Sequence, residues 1–175
     1  MNKTEIKNSL ERRYLALVNY INGLSNAEFT FSYESKWTAG QHLKHIVLCV
    51  NPLVQVFGMP NTIIEQNFGT TKTESRTYDE LLAVYIEKLN KGGKAPSQYV
   101  PEIVSENEKS ELLKTLPKLI EKLNAEIDTF TENELDTLCI PHPLLGNISL
   151  REMLYNAIYH VEHHQILTEN NLTKM

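Results

Sequence analysis

Along most of the chain apolar residues recur at steps of three and four, the spacing that lays a single stripe on an α-helix. Ile6, Leu10, Tyr14, Leu17, Val18, Ile21 and Leu24 form the first stripe and predict a helix that packs one face into a bundle. A loop is expected over residues 26–36. Thr38 and Gln41 then have the spacing of a capping box, in which each side chain satisfies the other's backbone N–H, and predict the start of a second helix. That helix is apolar on nearly every side from Ile46 to Phe57, which calls for burial or for contact with another chain, and Pro52 predicts a kink in it. Residues 58–76 are polar, rich in Thr and Asn, and without a sustained period, so a loop is expected there. Thr77 and Glu80 form a second capping box ahead of LLAVYIEKL, predicting a shorter helix to about Lys91 that Gly92, Gly93 and Pro96 end. The segment through Val104, with Pro101, should be irregular. Leu112, Leu113, Leu116, Leu119, Ile120, Leu123, Ile127 and Phe130 mark another long helix, with Pro117 as a kink or a start. After an expected loop over 136–149, Ser149 and Glu152 cap a last helix to about Asn171. No repeat or linker divides residues 1–175, so the pattern predicts a single all-α domain of four main helices and a shorter one.

Composition narrows the partners. A 175-residue chain with 41% apolar and 22% charged residues can bury a core of its own. Its 17 Lys and Arg against 22 acids, for a net charge of −5, leave no basic cluster to neutralise phosphates, so no nucleic acid partner is expected. The N-terminus is charged from the start, and the longest apolar run is short and interrupted by Asn51 and Pro52, so neither a signal peptide nor a membrane span is expected and the cytoplasm is the predicted compartment. Cys49 and Cys139 lie far apart without a CxxC spacing, which suggests neither a disulfide framework nor a thiolate zinc site; Cys49 reads as filler on an apolar helix.

Chemistry concentrates in YHVEHHQIL, residues 159–167, which holds three of the six histidines. At about 100° per residue, His160 and His164 fall within roughly 40° of each other, on a face shared with Met153, Ala157 and Leu167, and so point to the core. His163 lies to one side and Glu162 roughly opposite. An i, i+4 pair of buried imidazoles holds two nitrogens that one divalent ion can bridge, and burial without a shared partner would be costly. A third nitrogen is available across the bundle from His42 or His45 on the second helix, and spacing alone does not choose between them.

Three motifs together resemble one family: Trp37 followed eight positions on by His45, the HPLLGNIS turn from His142, and the H-x3-H of His160 and His164. They resemble the DinB (DNA-damage-inducible) superfamily, in particular its YfiT-type branch, over the whole helical plan. The resemblance implies a four-helix bundle of up-down-down-up type, with a divalent metal, commonly zinc or nickel, held by His45, His160 and His164. It also implies a homodimer and, in some members, a thiol-dependent S-transferase using a low-molecular-weight thiol such as bacillithiol or mycothiol; others are described as metal-dependent hydrolases. Three imidazoles leave a coordination position open for a thiol or water, the pattern of a catalytic zinc site acting on a small-molecule substrate. Hydrolysis would need a base other than Glu162, because no HExxH occurs. His163 and His42 are candidates for outer proton carriers or for exposed residues, His142 for shaping the turn before the last helix, and Trp37 for a packing anchor. The alternative is a non-catalytic stress-response or interaction protein whose metal only clamps two helices.

Overall fold

The computed structural model describes residues 1–175. Four long helices carry the core: α1 (Lys3–Gly23), α3 (Ala39–Phe57), α6 (Lys109–Ile127) and α8 (Leu150–Leu172). Between them lie α2 (Asn26–Thr30), α4 (Asn61–Phe68), α5 (Tyr78–Asn90), α7 (Glu132–Thr137) and a hairpin of β1 (Cys139–His142) and β2 (Gly146–Ser149). Contacts at the helix ends give the directions. The Met1 ammonium donates to the Tyr155 hydroxyl at 2.8 Å, so α1 and α8 start at the same end of the bundle. Lys3 Nζ reaches the Phe130 carbonyl at 2.6 Å, just past the end of α6, so α6 runs against α1. Phe57 and Phe130 meet edge to face at 5.3 Å where α3 and α6 both end, which makes those two parallel. The result is an up-down-down-up bundle, with α3 and α6 joined by the long crossover of residues 58–108.

The capping boxes at Thr38, Thr77 and Ser149 are all formed. At Ser149 the box is buried, and Arg76 adds a salt bridge to Glu152 at 2.7 Å, tying the crossover to the start of α8. The stripe of α1 is buried through Ile6, Leu10, Tyr14, Leu17 and Ile21. It packs on α6 and α8, with each fully buried Leu or Ile contributing about 1.5–3 kcal/mol of transfer free energy.

Several expectations are corrected. Ser25 and Glu28 cap a short helix inside the expected loop 26–36, and α4 occupies Asn61–Phe68 in the expected loop 58–76, burying Ile64. The segment 136–149 is the end of α7 followed by the hairpin, with Cys139 opposite Ser149 and His142 opposite Gly146. Gly146, at φ +73°, supplies the left-handed residue that closes this turn. Pro117 sits inside a continuous helix and is not a helix start, and Pro52 likewise lies within α3. Leu167 does not share the burial of the histidine pair; it is 38% exposed, while its neighbour Thr168 is buried. The apolar excess on α3 is accounted for within the chain: Leu43, Ile46 and Val54 enter the core, while Cys49, Val50, Leu53 and Val56 wall a cavity. No single helix is long and apolar enough to cross a membrane.

Candidate metal centre

Helical spacing and the antiparallel course of α3 against α8 bring the start of α3 beside the later half of α8. On α8, Met153, Asn156, Ala157, His160, His163 and His164 follow one inward stripe of the kind an i, i+3, i+4, i+7 pattern produces, and all line the cavity. On α3, His45 is 2% exposed and faces them. His45 Nε2 lies 3.2 Å from His160 Nε2, and His160 Nε2 lies 3.0 Å from His164 Nε2. One nitrogen from each of the three residues falls within 4.8 Å of the others.

This donor set suits a cation better than it suits hydrogen bonds. His45 Nδ1 sits 2.6 Å from the Tyr99 carbonyl, which can only accept, so Nδ1 carries the proton and Nε2 presents a lone pair. His164 Nδ1 meets His42 Nδ1 at 2.8 Å, and when it donates there its Nε2 is likewise a lone pair. His160 Nε2 stands between the two and can donate to one of them at most. The lone pair of the other is then left without a donor, and a shared divalent ion in place of that single proton satisfies all three nitrogens. Two nitrogens on one tetrahedral zinc are about 3.3 Å apart at bond lengths of about 2.0 Å, close to the spacings found. His45, His160 and His164 would hold such an ion, and the other ring nitrogens of His45 and His164 already have the partners that fix ligand orientation.

Electrostatics keep the imidazoles neutral. Burial, followed by the neighbouring imidazoles, holds His160 and His164 well below the ordinary histidine range and draws His42 down to about 3. In His45 burial again lowers the value and the Tyr99 carbonyl works against it. Neutral rings are the form in which histidine binds metal.

The nitrogens open on a cavity of about 410 Å³ whose lining is mostly apolar and includes no carboxylate. Glu162 faces away from it, paired with Arg13 at 2.7 Å. Cys49 Sγ is 3.6 Å from His45 Nε2, and burial pushes its thiol up to about 12. Trp37 stacks on His164 with ring centroids 6.0 Å apart and lies 5.0 Å from His45, so it packs the imidazoles in place while forming part of the wall. His42 is 5% exposed and touches His164, not solvent. His163 is half-buried on the cavity wall, stacked on Tyr159. Sequence periodicity could not separate His42 from His45, because residues three apart share one inner face. The Tyr99 carbonyl left no mark in the sequence either, since any residue supplies one.

His142 shapes the turn, as its position in the sequence suggested, and it also reaches the cavity. Its Nδ1 accepts from the backbone N–H groups of Leu144 and Leu145 at 3.1 and 3.2 Å, so a proton there would break both bonds. Burial pulls His142 from 6.5 down to about 4, against a weaker upward pull from Asn156. A value lowered in the folded state means that the stabilisation is full above about pH 6.5 and is lost as the pH falls toward 4. The loss attributable to His142, read as wild type minus His142→Gln in urea melts at pH 7 and pH 4, should be on the order of 2 kcal/mol. An imidazole titrating near 6.5 by NMR would contradict it.

Comparison with known proteins places the chain. It matches the DinB superfamily over residues 9–167. Its fold resembles that of YfiT from Bacillus subtilis, described as a probable metal-dependent hydrolase with an unusual four-helix bundle topology (TM-score 0.64, 18% identity, covering 99% of this chain and 87% of that one). It also resembles TT2238, a four-helix bundle protein (TM-score 0.60, 18% identity, 97% and 99% coverage). No curated protein sequence matches significantly.

Proposed function

Since the chain belongs to the DinB superfamily, we propose that it is a metal-dependent enzyme that transfers a low-molecular-weight thiol onto a small apolar electrophile. The observation that carries this reading is the opening of three clustered histidine nitrogens onto a mostly apolar cavity without a carboxylate. A divalent ion at His45, His160 and His164, zinc or nickel, would supply Lewis acidity that holds a thiol in its reactive, deprotonated form at neutral pH. The chain's own residues do the rest. The Tyr99 carbonyl and His42 aim His45 and His164, Trp37 shields the imidazoles from water, and the apolar wall takes up the electrophile. His163, whose ring lies 5.3 Å from that of His164, is placed to accept the proton that the thiol gives up. The sulfur–carbon bond forms as the leaving group departs with its electron pair.

Hydrolysis is the second reading. What supports it is the description of YfiT, together with His163 on the cavity wall, which would serve as the base for water. Protein purified without a nickel-binding tag and loaded with metal should conjugate thiols to small electrophiles well above background, and His45→Ala and His160→Ala should remove that rate while the fold persists. Cleavage of esters without added thiol would favour water as the nucleophile. No acceleration across a panel of thiols, electrophiles and esters would sink both readings and leave a metal that only joins α3 to α8.

A further inference from the structure

The cavity that holds the histidines is uncharged except at one point. Of the side chains lining it only Lys94 is ionised, because no Asp, Glu or Arg takes part and burial keeps the imidazoles neutral. Lys94 is exposed and yet lines the wall, which puts its ammonium at the open edge, in reach of both solvent and the cavity. No carboxylate pairs with it, whereas Lys91, three residues before, is held by Glu87. The backbone that carries it is anchored on both sides. Gly93 N–H donates to the Lys88 carbonyl at 3.0 Å, and a Cβ at Gly93 would come within 2.8 Å of that carbonyl and 3.0 Å of Leu144 Cδ1. Only glycine allows so close an approach. Five residues beyond Lys94, the Tyr99 carbonyl is tied to His45 at 2.6 Å. The lysine thus stands on an edge fastened to α5, to the hairpin turn and to α3.

We infer that this edge is an anion subsite, in which Lys94 receives the carboxylate of an electrophile whose apolar body fills the cavity behind it. An anion is costly to move between apolar walls, so the charge stays at the edge while the body buries itself against Val50, Leu53 and Leu144. One lysine with no second cation beside it is a point charge that matches a single carboxylate; a phosphate, with more charge, calls for more donors. The chain as a whole carries a net charge of −5 and repels anions, so a preference for acids has to come from this edge. Lys94 acts here on specificity and not on the reacting atoms. The inference rests on reading the cavity as a small-molecule site and deepens the proposed function by giving the electrophile an anionic end.

Trp37, the only tryptophan, lines the cavity, so its fluorescence reports occupancy. Two probes that share an apolar body and differ in charge, 4-phenylbutyrate and 4-phenylbutanamide, are titrated into the full chain, both metal-free and zinc-loaded. The acid should bind about three- to fivefold more tightly than the amide in both forms, the scale of an exposed ion pair, and the difference should fade in about 0.5 M salt. Lys94→Met should erase the preference and Lys94→Glu should reverse it, with affinity for the amide within about twofold of wild type throughout. Because Lys94 is exposed, both variants should keep the fold, which circular dichroism checks. Equal affinities for acid and amide, or a preference that survives Lys94→Met, would overturn the inference while leaving the cavity a small-molecule site. A preference confined to the zinc-loaded protein would also overturn it, giving the carboxylate to the histidine centre. If neither probe binds, the small-molecule reading of the cavity fails and takes the inference with it.

Discussion

Replacing His160 by alanine should strip the protein of stoichiometric metal, and His45→Ala should do the same. His160 Nε2 is the central one of the three nitrogens that would hold the ion, within 3.2 Å of both others, and His45 is the only one supplied from another helix. Without either, two imidazoles remain on too few bonds to compete with water and buffer. His42→Ala should behave differently, since His42 only orients His164 through Nδ1. Loss of such an outer partner costs about 10–100-fold in affinity, so metal should remain but bind more weakly. Elemental analysis and competitive chelation give the ranking. Full metal content in both His45→Ala and His160→Ala would refute the assignment. The bundle should survive these changes, because the Leu and Ile stripes of α1, α3 and α6 do not depend on the centre. Unfolding of the variants on circular dichroism would instead make the metal part of the fold.

Arg151→Met should lower stability by about 2–3 kcal/mol, one of the larger losses available outside the core. Arg151 is 7% exposed near the start of α8. Its guanidinium grips Asp136 at 2.5 and 3.0 Å, Glu132 at 2.7 Å and the Met1 carbonyl at 2.7 Å, so one side chain joins α7, α8 and the head of α1. The acids keep 37% and 49% side-chain exposure, which softens the loss relative to a fully buried pair. Burial raises both acids, but the bonds from Arg151, together with Lys3 on Glu132, outweigh it and hold them below their usual range. A lowered carboxylate stabilises above its unfolded pKa and ceases to do so as the acid protonates. The gap between wild type and Arg151→Met in urea melts should therefore be full at pH 7 and narrow toward pH 3. A gap independent of pH would show that packing of the arginine stem, not its charge, is what α8 uses.

Much of this fold was legible because each long helix carries an apolar stripe, to which α3, α5 and α8 add a capping box. Where no stripe could form, elements were missed. Ser25 with Glu28 and Thr131 with Glu134 are capping boxes of the same kind, but the helices that follow are five and six residues long, too short to show a period. The start of α4 has Pro60 and no side-chain cap, and the four-residue strands around His142 alternate too briefly to be seen. At the centre, the His160 and His164 pair was visible as a spacing within one helix. Their meeting with His45 depends on how α3 packs on α8.

The parallel course of α3 and α6 has a consequence for how such a protein can diversify. It forces a long crossover, and that crossover contributes Tyr85, Lys94 and Tyr99 to the cavity, whereas the histidines sit on helices that the bundle core holds in place. The crossover thus lines the cavity together with α3 and α8, which carry the histidines as well as part of the wall. It is tied to α3 and α8 by the hydrogen bond from His45 to the Tyr99 carbonyl, by Gln41 on the Pro101 carbonyl and by Arg76 on Glu152. The first of these ends on a main-chain atom, so the cavity-lining side chains of the crossover can change in evolution without severing it.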